Sequence, residues 1–530
     1  SFAPTFRDNT VTISTFLLPA SKLFHNIILA TPMIFEISLV LLALLLFREL
    51  YWKRQGLPPG PFPIPVAGNM LSILYDFPGY DAYQKWKNEY GSIYTFWLGP
   101  WPIVNVNDYK TIQDMFVIDG DNYADRASLG KLTVEYRGGE YGIVESNGLT
   151  WKEQRRFALH TLRDFGLGKA AMEERILVEV DWLLNKLEED SKTGATAPIK
   201  YMERTVGSVI NDVLFGYRFD DERIGDFLRI RELMEEQNKA QTNPIALLAF
   251  FSETLRTYIP YARKQYELAM KVRDEMFDFF KKNIQQHRET IDYEVEESTD
   301  FCEAYLKEMH RRREESDTTF HEKQFINVVL DLWLAGMETT ASTMSWGICL
   351  LLNYPEVLRK MHNEFDTVIG EERFITLKDK PNLPYCQAVI SEVQRWGNIV
   401  SQNLLRRVTN DVVVDGKLIK AGTIVAPQIS VLLYDPEVFP NPHTFDPNHF
   451  LDDSGKYVNN KYFLPFSVGK RQCPGEGLAK MELFLFFSNL THRFEIEPQA
   501  HPPFLERKLS AGGKPLPFHC TMRKRIAKIR

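Results

Sequence analysis

The chain has 530 residues and a formal charge of −7, which argues against nucleic acid as a partner. Its cysteines, Cys302, Cys349, Cys386, Cys473 and Cys520, are scattered and odd in number, with no Cys-x-x-Cys pair, which excludes a disulfide framework and a closed zinc site and points to a reducing compartment. Composition alone does not choose between several domains and one large helical domain with an anchor.

Residues Ile27 to Phe47 are almost wholly apolar. Twenty-one helical residues at about 1.5 Å each span a bilayer core of roughly 30 Å. Arg48, Lys53 and Arg54 follow, beside Tyr51 and Trp52, so the positive-inside bias places the downstream body in the cytosol. A cleaved signal peptide competes with this reading, although no small-residue cleavage site follows. Pro32 and Glu36 interrupt the run, and a carboxylate inside a spanning helix is costly. A natural start at Met33 would put Glu36 at the lumenal edge, giving a dispensable extension (1–32), an anchor (33–54), a proline-rich hinge from residue 55 to 68 and a body from 69 to 530.

Between Asn69 and Tyr141 the strand-like runs Ser92–Phe96 and Ile103–Val106 predict a small sheet beside the main body. Trp151 and Arg155 stand four apart on one helical face, where an indole N–H and a guanidinium can hold one carboxylate. The same spacing also suits plain packing. From Glu174 to about Arg313 the pattern is amphipathic helix, interrupted by the apolar patch Pro244–Phe251.

The segment Phe325–Leu352 is long, apolar and helical in period, yet carries Ala335-Gly336-Met337-Glu338-Thr339-Thr340 in its middle. Buried Glu and Thr need partners, and Thr339 can bond back to the Ala335 carbonyl, loosening the helix beside a groove. A satisfied kink and a proton-handling site both fit. Further on, Glu392 and Arg395 are three apart on a helix face, and Arg406 precedes a hairpin with its turn at Asp415-Gly416.

The stretch Phe466-Ser467-Val468-Gly469-Lys470-Arg471-Gln472-Cys473-Pro474-Gly475 delivers one cysteine to the start of an apolar helix, Gly477 to Phe487. Unpaired amides and the helix dipole favour a thiolate there. Gly469 and Gly475 permit close approach or positive φ, Arg471 offers charge to an anion, and Phe466 offers an apolar lid. The pattern Phe-x-x-Gly-x-Arg-x-Cys-x-Gly resembles the haem-binding loop of the cytochrome P-450 family. Ala335–Thr340 is similar to that family's oxygen-binding motif, Glu392–Arg395 to its Glu-x-x-Arg, and Leu57–Pro65 to the proline-rich hinge of microsomal members.

The resemblance implies a fold that is mainly α with a small β region, preceded by a single N-terminal membrane-anchor helix in the endoplasmic reticulum, with the catalytic part facing the cytosol. It implies haem b with Cys473 as the axial ligand of the iron, Arg126, Trp151, Arg155, Arg406 and Arg471 on the propionates, and Glu338 and Thr339 as proton relay. Glu392, Arg395 and His449 would be structural, the histidine replacing the arginine of Pro-Glu-Arg-Phe in Pro447-Asn448-His449-Phe450. Leu334, Ala335, Val400 and Leu404 would line the substrate pocket.

The implied reaction inserts one oxygen atom from O2 into an apolar xenobiotic, fatty acid or steroid. Electrons come from an NADPH-dependent flavin reductase, with cytochrome b5 as a second partner, docking on Lys152, Arg156, Lys470 and Lys480. Pro474 removes the first amide that could donate to the sulfur, leaving Gly475 and Glu476. A haem-thiolate isomerase or dehydratase, and a haem sensor without turnover, are the alternatives; the acid-threonine pair argues against both.

Overall fold

The computed structural model describes residues 35–49, 51–65, 67–75, 77–127, 131–165, 170–370, 373–508 and 513–525. The chain is mainly helical with small sheets, as expected. At its centre lies Glu322–Asn353, buried nearly all round from Gln324 to Asp331 and again from Thr340 to Leu352, with Trp333 and Trp346 fully buried. Burying each such side chain contributes roughly 1.5–3 kcal/mol. The helix starts where the His321 ring accepts from the Gln324 amide.

Pro198–Phe215 packs along this helix, and its own buried residues also run round most of its circumference. Ala170–Ser191, Pro260–Thr290 and Glu476–Arg493 complete one continuous core with them. The amphipathic stretch read from Glu174 onward is thus a set of separate helices, and the patch Pro244–Phe251 is a short helix of its own.

The sheet expected near residues 92–106 is present and larger than the sequence indicated. Ile93–Leu98 pairs antiparallel with Trp101–Val106, which pairs in parallel with the distant Ile424–Pro427. That strand carries Arg406–Arg407, and Arg406–Arg407 carries Asp125–Arg126. Two two-stranded sheets stand apart: the hairpin Val412–Val414 with Lys417–Ile419, and Phe494–Pro498 with the more distant Cys520–Lys524. The first turns through Asp415 (φ 48°) and Gly416 (φ 71°), the positive φ pair that two-residue hairpins demand.

The expected anchor lies only partly within the described residues. Residues 35–49 are helical, and Phe35, Leu41 and Leu45 on it are exposed. Among the described residues no helix is long and apolar enough to cross a membrane. The proposed extension, residues 1–32, lies outside the described residues. The proline-rich stretch is docked rather than free-standing: the Thr95 amide donates to the Pro59 carbonyl at 2.9 Å, and a Cβ on Gly60 would sit 1.8 Å from the Thr95 carbonyl oxygen.

Candidate haem-thiolate site

The Cys473 loop is shaped by its backbone. The Cys473 amide donates to the Phe466 carbonyl at 3.0 Å, closing the loop over Ser467 (φ 64°) and Gly469 (φ 70°). A Cβ on Gly469 would lie 1.7 Å from the Phe116 carbonyl oxygen, so glycine is required there twice over, by φ and by space. Gly475 is different: its φ is −90° and an added Cβ would meet only the Cys473 sulfur, at 3.9 Å. The helix begins at Glu476, so Cys473 stands just before its N-terminus, as the sequence indicated.

Sulfur and cavity meet here. Cys473 borders a cavity of about 270 Å³, near the lower end of the roughly 300–1,000 Å³ of ordinary small-molecule pockets, and its lining is predominantly apolar. Burial pushes the Cys473 thiol up, against the Gly475 and Glu476 amides and Arg155, which favour the thiolate. The Gly475 and Glu476 amides thus act in the direction the sequence indicated, and a bound metal would complete the ionisation, because a coordinating thiol loses its proton. The two amides acting on the sulfur are those the sequence leaves after Pro474.

An arginine cluster adjoins the cavity. Arg126 and Arg406 are register partners on adjacent strands, and Arg126 donates to the Val144 and Leu404 carbonyls. Arg471 reaches Ala124, Ile143, Val144 and Ser146 carbonyls and the Asn147 side chain, and lies 4.0 Å from the Trp151 ring centroid. Its N–H groups are thus taken, and what it adds to the cavity is charge. Arg155 borders the cavity and donates to the Gln472 carbonyl. Arg406 lies behind the wall, giving one amino group to Ser467 and Val468 while its Nε and Nη1 have no partner. The Trp151 indole N–H is also buried without a partner.

Burial, compounded by mutual repulsion, drives Arg406 down to about 9 and Arg471 down to about 8; burial chiefly, and Arg155, bring Arg126 to about 10. Guanidinium groups do not surrender their protons in proteins, so these depressions express the cost of holding buried positive charges together. Orphaned Arg406 and Trp151 donors, clustered cations and a sulfur bordering the same cavity fit a planar group with an acidic edge and a metal at its centre. Haem matches on each count.

The central helix presents Asp331, Ala335, Gly336, Thr339, Thr340 and Thr343 to the cavity, a stripe at helical spacing. Thr339 Oγ1 donates to the Ala335 carbonyl at 2.7 Å, the back-bond the sequence suggested, and Thr343 repeats it onto Thr339. Two expectations need correction. At 100° per residue Glu338 turns off this stripe, 3.6 Å from Lys514 and bonded by Asn238, and does not border the cavity. Leu334 turns away likewise and packs on the helical core. Ala335, Val400, Leu404 and Phe466 do line it.

Asp331 escaped the sequence reading. Its Oδ2 accepts the Ile143 and Val144 amides at 2.8 and 2.9 Å, and its Oδ1 meets Arg137 at 2.7 Å. It fixes the loop whose carbonyls hold Arg126 and Arg471. Its signal was periodicity: Gln324, Asn327 and Asp331 recur a turn apart on a buried helix face.

Away from the cavity, Glu392 and Arg395 form a two-point pair, both contacts 2.7 Å and both residues fully buried. Arg395 also reaches the Leu433 and Thr444 carbonyls, and His449 Nδ1 lies 3.2 Å from Glu392. Of the expected docking cations, Lys152 and Arg156 are exposed, whereas Lys470 is paired with Asp121 and Lys480 with Glu476. Exposed pairs of this kind are worth little and yield to a competing anion.

A family profile described as Cytochrome P450 matches residues 58–522. Cytochrome P450 2H1 of Gallus gallus is 37% identical over 447 residues, 84% of this chain and 88% of that protein. Cytochrome P450 2A9 of Mesocricetus auratus is 34% identical over 91% of this chain and 96% of its own length, and Cytochrome P450 2A6 of Homo sapiens 33% over 89% and 94%.

Proposed function

Since the chain belongs to the cytochrome P450 family and is a haem-thiolate monooxygenase, we propose that Cys473 is the ligand of its haem b and that the cavity above it admits an apolar organic substrate. The observation that carries this is the meeting, at one cavity, of a lone cysteine with a cluster of buried arginines whose donors are not all satisfied. When bound, the haem supplies the oxygen-activating iron.

The chain's own residues do the rest. Arg406 and Trp151 would donate to the propionates, with Arg126, Arg155 and Arg471 supplying positive charge around them. Gly475 and Glu476 amides withdraw charge from the sulfur. Ala335, Val400 and Leu404 hold the substrate away from water, and Thr339 places a hydroxyl at the groove its back-bond opens. Xenobiotics, fatty acids and steroids all suit such walls. Electrons would arrive from a membrane-bound flavin reductase, or cytochrome b5, on the face of Lys152, Arg156, Lys470 and Lys480, and the exposed apolar helix at residues 35–49 would hold the protein to the endoplasmic reticulum.

The test is spectroscopic. Ferrous wild-type protein with carbon monoxide should give the strongly red-shifted Soret band of a thiolate ligand, and Cys473→Ser should lose it. A mutant that kept the band and its turnover would defeat the assignment. Reconstitution with reductase and NADPH, screened against apolar compounds by Soret shift, would identify the substrate class.

A further inference from the structure

Glu482 has no part in the roles above. It sits on Glu476–Arg493, the helix leading away from Cys473, is 2% exposed, and borders the same cavity as Thr339, Thr340 and Thr343. Its Oε2 accepts from Thr340 Oγ1 at 3.1 Å. Among the described residues, no charged group on the helices packed against it, Ala170–Ser191, Glu322–Asn353, Pro355–Val368 and Pro384–Gly397, acts on its ionisation. Burial pushes it up to about 8, and only the Thr340 hydrogen bond pulls the other way.

Other nearby acids are engaged elsewhere. Glu338 faces Lys514 and Asn238, off the cavity stripe. Asp331 has both oxygens occupied by Arg137 and two backbone amides. The hydroxyl-lined wall therefore has beside it one carboxyl group without a charged partner, and it comes from a different helix than the acid of the sequence motif.

We propose that Glu482, acting through the Thr340 hydroxyl, stores a proton for the reaction in this cavity. The proposal rests on the monooxygenase reading: each turnover takes O2, two electrons from the reductase, two protons and the substrate R–H, and yields R–OH and one water. In the step assigned here the Thr340 hydroxyl, which donates to Glu482 at rest, rotates its O–H toward the cavity and accepts instead; the O–H bond of neutral Glu482 breaks and its proton passes to Thr340 Oγ. That hydroxyl is both donor and acceptor and releases its own proton toward the cavity beside Thr339. The carboxylate left behind regains a proton from solvent water entering the cavity. Glu482 is a positioning and proton-holding residue, since its proton leaves it through the Thr340 hydroxyl.

The experiment is an infrared pH titration of the holoenzyme, run alongside product formed per NADPH consumed. Wild type should show a carboxylic C=O band that bleaches as pH rises through about 8, with coupling falling several-fold over the same range. Glu482→Gln should lack the band and show low coupling that no longer depends on pH there. Glu482→Asp should restore part of both. Thr340→Val removes the bond that favours the carboxylate, so its band should persist to higher pH and the fall in coupling should move with it. A band that survives Glu482→Gln, or a coupling profile that Glu482→Gln leaves unchanged, overturns the proposal. Should Glu482→Gln fail to hold haem, Thr340→Val decides, and a band that does not move upward overturns it. Wild-type protein lacking the thiolate-type carbon monoxide band would strike the Cys473 assignment instead, a separate failure.

Discussion

Arg126 and Arg406 stand directly opposite each other on two antiparallel strands, 7% and 0% exposed. Like charges in that relationship destabilise a sheet. Such an arrangement is costly in the protein alone, and the proposed propionate edge would relieve it.

Arg406→Met should therefore separate two properties that normally move together. The haem-free protein should be at least as stable as wild type by thermal denaturation, because a buried cation has gone. Haem should leave faster to a competing acceptor, by about 10- to 100-fold, matching roughly 1.5–3 kcal/mol for a lost charge-assisted hydrogen bond. Unchanged haem retention would remove Arg406 from the site.

Two glycines of the Cys473 loop should respond oppositely to alanine. At Gly469 the left-handed backbone alone costs about 1–2 kcal/mol for a side chain, and the 1.7 Å approach to Phe116 adds a clash with backbone that cannot give way. Gly469→Ala should fail to incorporate haem. Gly475→Ala, with its Cβ 3.9 Å from the sulfur, should fold and keep haem. Absorbance at the Soret band per protein measures both, and equal haem content in the two variants would contradict the loop geometry.

His449 should make stability depend on pH. Its Nδ1 faces Glu392 at 3.2 Å and its Nε2 faces the Pro440 carbonyl at 2.8 Å, so both nitrogens meet acceptors and only the imidazolium serves both. Burial works against that charge, but the Glu392 hydrogen bond and charge outweigh it and raise the pKa. The contribution is full below the ordinary histidine value of about 6.5 and is lost as pH rises through the raised native value. Thermal midpoints should fall over that window, by an amount equivalent to roughly 1–3 kcal/mol. His449→Arg should abolish this step, and a variant with the same pH profile as wild type would refute it.

Pro474 should tune the iron. Pro474→Leu restores an amide beside the sulfur at similar bulk, which withdraws electron density from it. The ferric-ferrous potential should rise while the thiolate-type carbon monoxide band persists. Lower thermal stability at unchanged potential would mean that the proline only stiffens the turn.

The sequence was most informative where chemistry is local. The Phe466–Gly475 spacing specified a loop because Gly469 answers to its own φ and to one carbonyl, and the Thr339 back-bond spans a single helical turn. The misplacement of Glu338 was also local: adjacent residues on a helix point 100° apart, so a motif read as a string hides that Thr339 faces the cavity and Glu338 faces Lys514.

By itself, then, the sequence determined the helical body, the cysteine and its loop, and the residue types proposed to ring the cofactor, because hydrophobic period, turn chemistry and backbone hydrogen bonds act over a few residues. Tertiary structure alone decided that Arg126 meets Arg406 across 280 positions of chain, that Asp331 ties down the loop beneath them, and that Glu482 reaches Thr340. Those relationships come from packing the central helix against strands and helices distant in sequence, and no local pattern encodes the distance between residues that only the folded chain brings together.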